Sequence, residues 1–202
     1  MGRFNLRIRF AKAIGTEFLL SRRLKAELAR TYEQQCDVEM ENENYSDASQ
    51  SITKAISLKP EDERLHLKRG LCRQQLEQHK KATEDFNEAL RIKPDFAEAF
   101  NGLGNIKSFT GDNASAVEHY TKAIEIQADY AIAIYNRGVS KADLGDHLGA
   151  IEDFTKSLEI NPDDGDAYIN RGISKCELQG EAGYAEGFED MEKGRKLHKD
   201  EE

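Results

Sequence analysis

The amino-acid sequence predicts an all-α fold, built as a solenoid of stacked helical repeats. Residues 131–164 align with residues 97–130 at an offset of 34 positions, so that Gly138 falls on Gly104. The same offset, taken once and twice, separates the only prolines of the chain, which are Pro60, Pro94 and Pro162. A fixed period of this length is typical of stacked repeat arrays, in which each unit buries its apolar face on its neighbours.

Residues 1–28 are predicted to form a basic N-terminal arm that includes a capping helix. Apolar residues spaced by three and four between Ala11 and Leu28 predict this helix. Residues 1–10 alternate apolar with polar or basic side chains, which fits a strand, although a helical spacing is also present. Three roles stay open for the arm: packing on the first repeat, targeting to an organelle, and binding to a partner or a membrane surface.

Five repeats follow the arm, and residues 199–202 form a charged tail. Each repeat is predicted to consist of a helix A, a turn and a helix B, because turn formers such as those at 110–113 separate two stretches of helical spacing. Glycine in the middle of helix A is expected to let helix B approach closely, at a cost of about 1 kcal/mol in helix propensity. The predicted repeats are 29–62, 63–96, 97–130, 131–164 and 165–198.

The C-terminal end of the array is predicted to expose an apolar face. Repeat 5 gains three residues between positions 179 and 183, and its glycines at 187 and 194 predict looser packing. Phe188, Met191 and Leu197 lie at helical spacing, and we expect no further helix to cover them. An exposed face of this kind predicts a homodimer, or docking on a larger assembly, through repeat 5.

The charge distribution argues against nucleic acid as a partner. The chain has 202 residues and a net charge of −9, but residues 1–30 carry eight basic and two acidic side chains, a net of +6. The remaining residues therefore carry −15. An acidic body does not suit phosphate binding. No apolar run is long enough to predict a membrane-spanning helix.

Residues that carry chemistry form no catalytic or metal-binding pattern. The three cysteines lack CxxC spacing, which suits a reducing compartment, and we interpret them as packing residues. The five histidines lack HxxxH or HExxH spacing, and the sequence has no Gly-rich phosphate loop and no GxSxG. Acidic residues on helices B are interpreted as a solvated face. We therefore predict no enzyme, no cofactor, no metal, and a cytoplasmic location, with a mitochondrion or other organelle as the alternative.

The repeat pattern resembles the tetratricopeptide repeat (TPR) over residues 29–198. A large residue opens helix A, small residues recur on helix B, and the glycine of helix A appears as Gly70, Gly104, Gly138 and Gly172. The resemblance implies a right-handed superhelix whose concave groove is lined mainly by helix A. That groove is expected to hold a peptide or a helix of a partner protein.

Side chains on the groove face of helix A give the candidate binding site. A carboxamide both donates and accepts hydrogen bonds, so asparagines on this face suit an extended peptide backbone. The alternative interpretation is that they are solvated residues of a helix surface. The candidate site consists of Lys68, Asn101, Asn105, Tyr135, Asn136 and Asn170.

One specific function of the family is not expected here. TPR proteins that hold the C-terminal carboxylate of a chaperone use two asparagines and three basic residues, and Asn105 and Asn136 match the asparagines. Asn101, Asp166 and Asn170 stand where the basic residues would be needed. An aspartate beside an incoming carboxylate is repulsive, so we expect this carboxylate clamp to be absent.

Two functions therefore remain open on the sequence alone. The first is a non-catalytic scaffold or adaptor that binds a peptide or protein segment in its groove. The second is a structural or assembly subunit of a larger complex, organellar or membrane-associated, which the basic N-terminal arm would position.

Overall fold

The computed structural model describes residues 22–179 and 181–200, and all regular structure in these two ranges is α-helical. The predicted all-α fold class is confirmed. The ten helices of the described residues are α1 (Arg22–Glu41), α2 (Tyr45–Leu58), α3 (Glu63–Gln75), α4 (His79–Ile92), α5 (Ala97–Phe109), α6 (Asn113–Ile126), α7 (Ala131–Asp143), α8 (His147–Ile160), α9 (Gly165–Gln179) and α10 (Glu181–Asp200).

Each odd-numbered helix packs against the helix that follows it, which gives the five predicted pairs of helix A and helix B. The pairs fall into two compact units. Among the described residues, the N-terminal unit runs from residue 22 to residue 92 and contains α1 to α4, and within it α2 also packs against α3. The C-terminal unit begins at residue 93 and contains α5 to α10, and within it α6 packs against α7 and α8 against α9.

The predicted N-terminal arm lies mostly outside the described residues. Its last seven positions, 22–28, belong to α1, so they are helical and continue into helix A of repeat 1. Residues 1–21 lie outside the described ranges. At the other end, α10 runs to Asp200, so the first two residues of the predicted tail are helical.

A recurring C-cap ends helix A in repeats 1 to 4. In repeat 3 the backbone N–H of Gly111 donates to Ser108 and that of Asp112 donates to Lys107, the pair of bonds that defines a Schellman motif. The residue in the left-handed conformation is glycine at 111 and 145, with φ of 80° and 83°. The equivalent residues of repeats 1 and 2 are Glu43 and Glu77, both with φ of 56°. A side chain is strained in that conformation, so these two glutamates destabilise their turns.

Glycine on helix A lets helix B approach closely, as the sequence predicted, and the group that it meets there is a ring of helix B. A methyl group added to Gly70 would lie 2.5 Å from the Phe86 ring. The same contact joins Gly104 to Tyr120 at 2.5 Å and Gly138 to Phe154 at 2.9 Å. These rings are fully or almost fully buried. In repeats 2 to 4, a ring of helix B therefore fills the space that a side chain at the glycine of helix A would take. This packing holds the two helices close together.

In repeat 5 a different residue packs against the glycine of helix A. Met191 takes the position of the ring and lies against Gly172, and the backbone of Gly187 meets the carbonyl oxygen of Gly172. Gly194 lies in the same way against the carbonyl oxygen of Gly165. The expectation of looser packing in repeat 5 is therefore wrong, because its two glycines let the backbone of α10 approach that of α9 directly.

The predicted apolar face of repeat 5 is only partly exposed. Leu197 is half-buried against a cluster of Leu158, Ala167 and Tyr168. Met191 is half-buried where α10 packs against α9. Phe188 remains 60% exposed. Its ring lies 6.4 Å from that of Tyr184, one helical turn away. Of the three predicted residues, one is exposed, and it has an aromatic neighbour that the prediction did not include.

Buried ion pairs hold helix A to helix B in three of the five repeats. Arg69 contacts Asp85, Arg137 contacts Asp153, and Arg171 contacts Asp190, each at 2.7 Å. All three aspartates are buried. The interpretation of acidic residues on helices B as a solvated face is therefore wrong at these three positions. Each aspartate also contacts a second basic residue, at 2.8 to 2.9 Å, which is Arg73, Lys141 or Lys175 in turn.

The same arginines connect successive repeats. A guanidinium Nη1 donates to a threonine hydroxyl of the preceding helix B, at 3.2 Å for Arg137 and 3.3 Å for Arg171. Arg137 and Asp153 are 16 positions apart, whereas Arg171 and Asp190 are 19 apart. The difference equals the three residues that the sequence places in the turn of repeat 5.

The cysteines pack as predicted within the described residues. All three are free thiols, Cys36 and Cys72 are buried in one apolar cluster of the N-terminal unit, and Cys176 is half-buried.

The strained turns give a prediction about stability. Glu77→Gly should raise the free energy of unfolding by about 1 kcal/mol, because it removes the cost of a side chain in the left-handed region. Gly111→Ala should lower it by a similar amount, and an added Cβ there meets nothing within 4 Å, so only the backbone conformation changes. Urea unfolding followed by circular dichroism measures both. A destabilised Glu77→Gly variant would contradict the argument.

The buried aspartates give a prediction about pH. Burial raises the pKa of Asp190, but its bonds to Arg171 and Lys175 outweigh this effect and leave the pKa below its ordinary value of 3.8. A lowered pKa in the folded state stabilises the fold above about pH 4, and this stabilisation is lost as the pH falls through the folded value. Asp190→Asn should therefore be less stable than the wild type at pH 7, and the difference should shrink at pH 3.

Thermal unfolding at a series of pH values measures this difference. Glu189→Gln on the same helix is the control, because Glu189 is exposed and its loss should change the curve little at any pH. If the difference in stability between the wild type and Asp190→Asn stays constant from pH 7 to pH 3, the charge of Asp190 contributes nothing to the stability of the fold.

Candidate functional site

The six candidate residues fall in both units of the chain. Lys68 lies on α3 in the N-terminal unit, whereas the other five lie on α5, α7 and α9, the three A helices of the C-terminal unit. The candidates therefore form two groups, one in each unit.

Lys68 is engaged by two carboxylates of the preceding A helix. Its Nζ donates to Asp37 at 2.7 Å and to Glu33 at 3.1 Å. Burial lowers the pKa of Lys68, but the hydrogen bonds to Asp37 and Glu33 outweigh burial and raise it. The ammonium group therefore stays charged and is balanced within the N-terminal unit.

Three candidate asparagines form one hydrogen-bonded cluster between α5 and α7. The amide nitrogen of Asn136 donates to Asn101 at 3.2 Å and to Asn105 at 3.1 Å. Asn105 also accepts a bond of 2.9 Å from the hydroxyl of Tyr120, the ring that packs on Gly104. Asn101 is buried. These side chains are fixed by one another and by the core of repeat 3.

The remaining two candidates form the same kind of bond one repeat further on. The amide nitrogen of Asn170 on α9 donates to the hydroxyl of Tyr135 on α7 at 2.8 Å. The Tyr135 ring also lies 5.7 Å from that of Phe154. Burial, followed by the negative charges of Asp166 and Asp164, raises the pKa of Tyr135 to about 12. The phenol therefore stays protonated at neutral pH.

These bonds leave part of each amide for a ligand. Asn136 and Asn170 donate through their side-chain nitrogens in the bonds above, and no described group of residues 23–178 and 184–198 donates to their side-chain oxygens. The two oxygens can therefore accept hydrogen bonds from a bound segment. Sequence reasoning placed the asparagines on one face, but it did not show that they contact one another.

Apolar side chains lie on the same helix faces. Ile132, one turn before Asn136, is 60% exposed, and Ile173 beside Asn170 is 46% exposed. Val139 and Ile169 are half-buried. We call the surface formed by these faces of α5, α7 and α9 the C-terminal groove. It offers both apolar contact and fixed polar groups, the combination that protein-binding surfaces use.

The described part of the chain shows neither a metal-binding cluster nor a membrane-spanning helix. No group of three or more His, Cys, Asp or Glu side chains there has the arrangement of a metal site. Among the described helices, none combines the length and the apolar character that crossing a membrane requires.

Stacked helix pairs with an open face on their A helices define a helical repeat protein. Comparison with known families gives the same class: the tetratricopeptide repeat matches residues 34–100, 97–130 and 131–164. The chain belongs to the tetratricopeptide repeat family. Proteins of this family generally act as non-catalytic scaffolds for interactions between proteins, and the chain has that architecture.

Solved structures share the fold. PilW, described as a widely conserved type IV pilus biogenesis factor, has a TM-score of 0.74 and 26% identity over 83% of this chain and 78% of its own. MamA has a TM-score of 0.69 and 22% identity over 82% of this chain and 95% of its own. YrrB, described as a TPR protein with an unusual peptide-binding site, has a TM-score of 0.64 and 20% identity over 84% and 86%. A search of curated protein sequences found no match.

Proposed function

We propose that this protein is a non-catalytic adaptor that binds a peptide or protein segment on the C-terminal groove. The observation that carries the proposal is the fixed row of polar groups across three A helices, from Asn101 and Asn105 through Asn136 to Tyr135 and Asn170. Groups that are already positioned lose little conformational entropy when a ligand binds.

The exposed isoleucines supply the apolar part of the interaction. Ile132 and Ile173 flank the polar row on neighbouring helices, and burying an isoleucine side chain contributes roughly 1.5–3 kcal/mol. Amide oxygens beside them would fix the backbone of the bound segment, and the isoleucines would contact its side chains. Lys68 is not included in this groove, because it lies in the other unit and is balanced there by Asp37 and Glu33.

A photo-crosslinking experiment identifies the partner, and an affinity measurement then tests the groove. A photoreactive amino acid at Ile173 should capture the partner in cells, and the same group at Ile160, an exposed isoleucine of helix B, should not. With the purified partner, Ile132→Glu should weaken binding at least tenfold, because it places a charge in the apolar contact. Ile126→Glu on α6 is the matched control and should change affinity less than twofold. An equal effect of both substitutions would contradict the proposal.

A second candidate function is a structural or assembly subunit that docks through repeat 5. It is supported by the exposed aromatic pair Tyr184 and Phe188 on α10, since exposed apolar pairs often mark contacts. In this case repeat 5 would join a second copy or a larger assembly. The basic residues of the N-terminal arm would contact a membrane or an organelle surface. For the adaptor we propose a cytoplasmic location.

Sedimentation velocity tests the second candidate. A wild-type chain that forms dimers at high concentration, and a Phe188→Glu variant that stays monomeric, would support docking through repeat 5. Glu189→Gln is the control on the same helix and should behave as the wild type. A monomeric wild type, together with an unchanged set of partners captured by Phe188→Glu, would reject this function.

A further inference from the structure

Every basic residue on the A helices of the C-terminal unit is engaged with an acidic group away from the groove. There are five: Lys107 on α5, Arg137 and Lys141 on α7, and Arg171 and Lys175 on α9. Lys107 contacts Asp112 at 2.8 Å, and the other four contact the buried Asp153 or Asp190 of helix B. The packing of the helix pairs therefore uses four of these five positive charges, and the fifth is paired in the turn of repeat 3.

The groove face keeps its carboxylates. Asp166 and Glu177 lie on α9 in the same helical face as Ile173, at its first and last turns, and Asp166 is 67% exposed. Glu98 lies in the first turn of α5, and Asp143 is the last residue of α7. Among the side chains that the structure describes, in residues 23–178 and 184–198, no Lys or Arg pairs with any of these four, and Asp166 contacts the imidazole of His198 at 3.2 Å. Asp143 accepts one bond of 3.2 Å, from the neutral amide of Asn113.

The surplus of negative charge acts on two tyrosines of the C-terminal unit. Asp166 contributes to the raised pKa of Tyr135, after burial. Burial, followed by the charge of Glu98, also raises the pKa of Tyr130, the residue before α7. Both phenols therefore lie in a region where a further negative charge is unfavourable and a positive charge is favourable.

We propose that the segment bound in the C-terminal groove belongs to another protein and carries apolar residues flanked on both sides by Lys or Arg. The apolar side chains of that segment contact Ile132 and Ile173, and its cations lie beside the carboxylates at the two ends of the A helices. This inference rests on the proposed adaptor function and adds the chemistry of the partner to it.

Helix geometry sets the spacing of the flanking charges. Asp166 and Glu177 are 11 positions apart, which at a rise of 1.5 Å per residue is about 16 Å along α9. The residues on either side of five central residues are six positions apart, which is about 20 Å in an extended segment. Long Lys or Arg side chains can cover the difference of about 4 Å, so a segment with this spacing reaches both acidic ends at once.

A pair of matched peptides tests the proposal on the full chain. Both have nine residues with Leu, Ile and Phe at alternate central positions; one has two Lys at each end and the other has two Glu. We expect the Lys-flanked peptide to bind at least ten times more tightly in a fluorescence anisotropy titration at 50 mM salt. The difference should shrink as salt is raised, because exposed charges are screened.

Charge-neutral variants locate the effect in the groove. Asp166→Asn combined with Glu177→Gln should weaken the Lys-flanked peptide about fivefold or more and leave the Glu-flanked peptide unchanged or tighter. Glu125→Gln combined with Glu159→Gln removes two exposed carboxylates from helices B of the same unit, and should change affinity less than twofold. Equal loss in both double variants would overturn the proposal, because the attraction would then come from the net charge of the chain.

Two further outcomes separate this inference from the function on which it rests. If both peptides bind equally while Ile132→Glu still loses the native partner, the charge inference is overturned and the adaptor function stands. A peptide of residues 1–14 of this chain is a third probe, since it is also basic and apolar. If it binds in the groove more tightly than the Lys-flanked peptide, and the full chain associates with itself, the occupant is not another protein and the proposal is wrong.

Discussion

The buried ion pair between helix A and helix B is the interaction on which much of this structure depends. An aspartate such as Asp153, taken out of water, is stable only while a bidentate arginine and a lysine compensate its charge. The same arginine reaches a threonine of the preceding repeat, so one side chain connects three helices. The arginine and the lysine that contact the buried aspartate cannot balance carboxylates in the groove. The negative charge of the groove is therefore a consequence of how the repeats are held together.

The period of the sequence was sufficient to predict the fold, because it fixes which residues recur on which side of a helix. The glycine of helix A and the ring of helix B each recur after 34 positions, so the contact between Gly138 and Phe154 repeats the one in the preceding units. Periodicity also placed Asn101, Asn105 and Asn136 on one face. It did not give their mutual hydrogen bonds, since those depend on the distance between neighbouring A helices, which no pattern within one helix contains.

The ion pairs have a signal in the sequence. Arg69 and Arg137 share the phase of the repeat, and so do Asp85 and Asp153. A single aspartate among many charged residues is interpreted as solvated, because the neighbouring sequence does not distinguish it from exposed acidic residues. In repeat 5 the three inserted residues also move Asp190 out of phase with the earlier aspartates. An arginine and an aspartate that recur together are better evidence for a buried pair than either is alone.

Repeat 3 shows that the acidity of the groove does not require the ion pair itself. Leu103 and His119 stand where repeats 2 and 4 have arginine and aspartate, and the His119 ring stacks on Phe100. Burial, and then the positive charges of Lys122 and Lys107, lower the pKa of His119. Lys107 therefore has no aspartate on helix B to contact, and it pairs with Asp112 in the turn instead. Glu98 on the groove face is again left without a basic partner among the described residues, so two different solutions to packing give the groove the same charge.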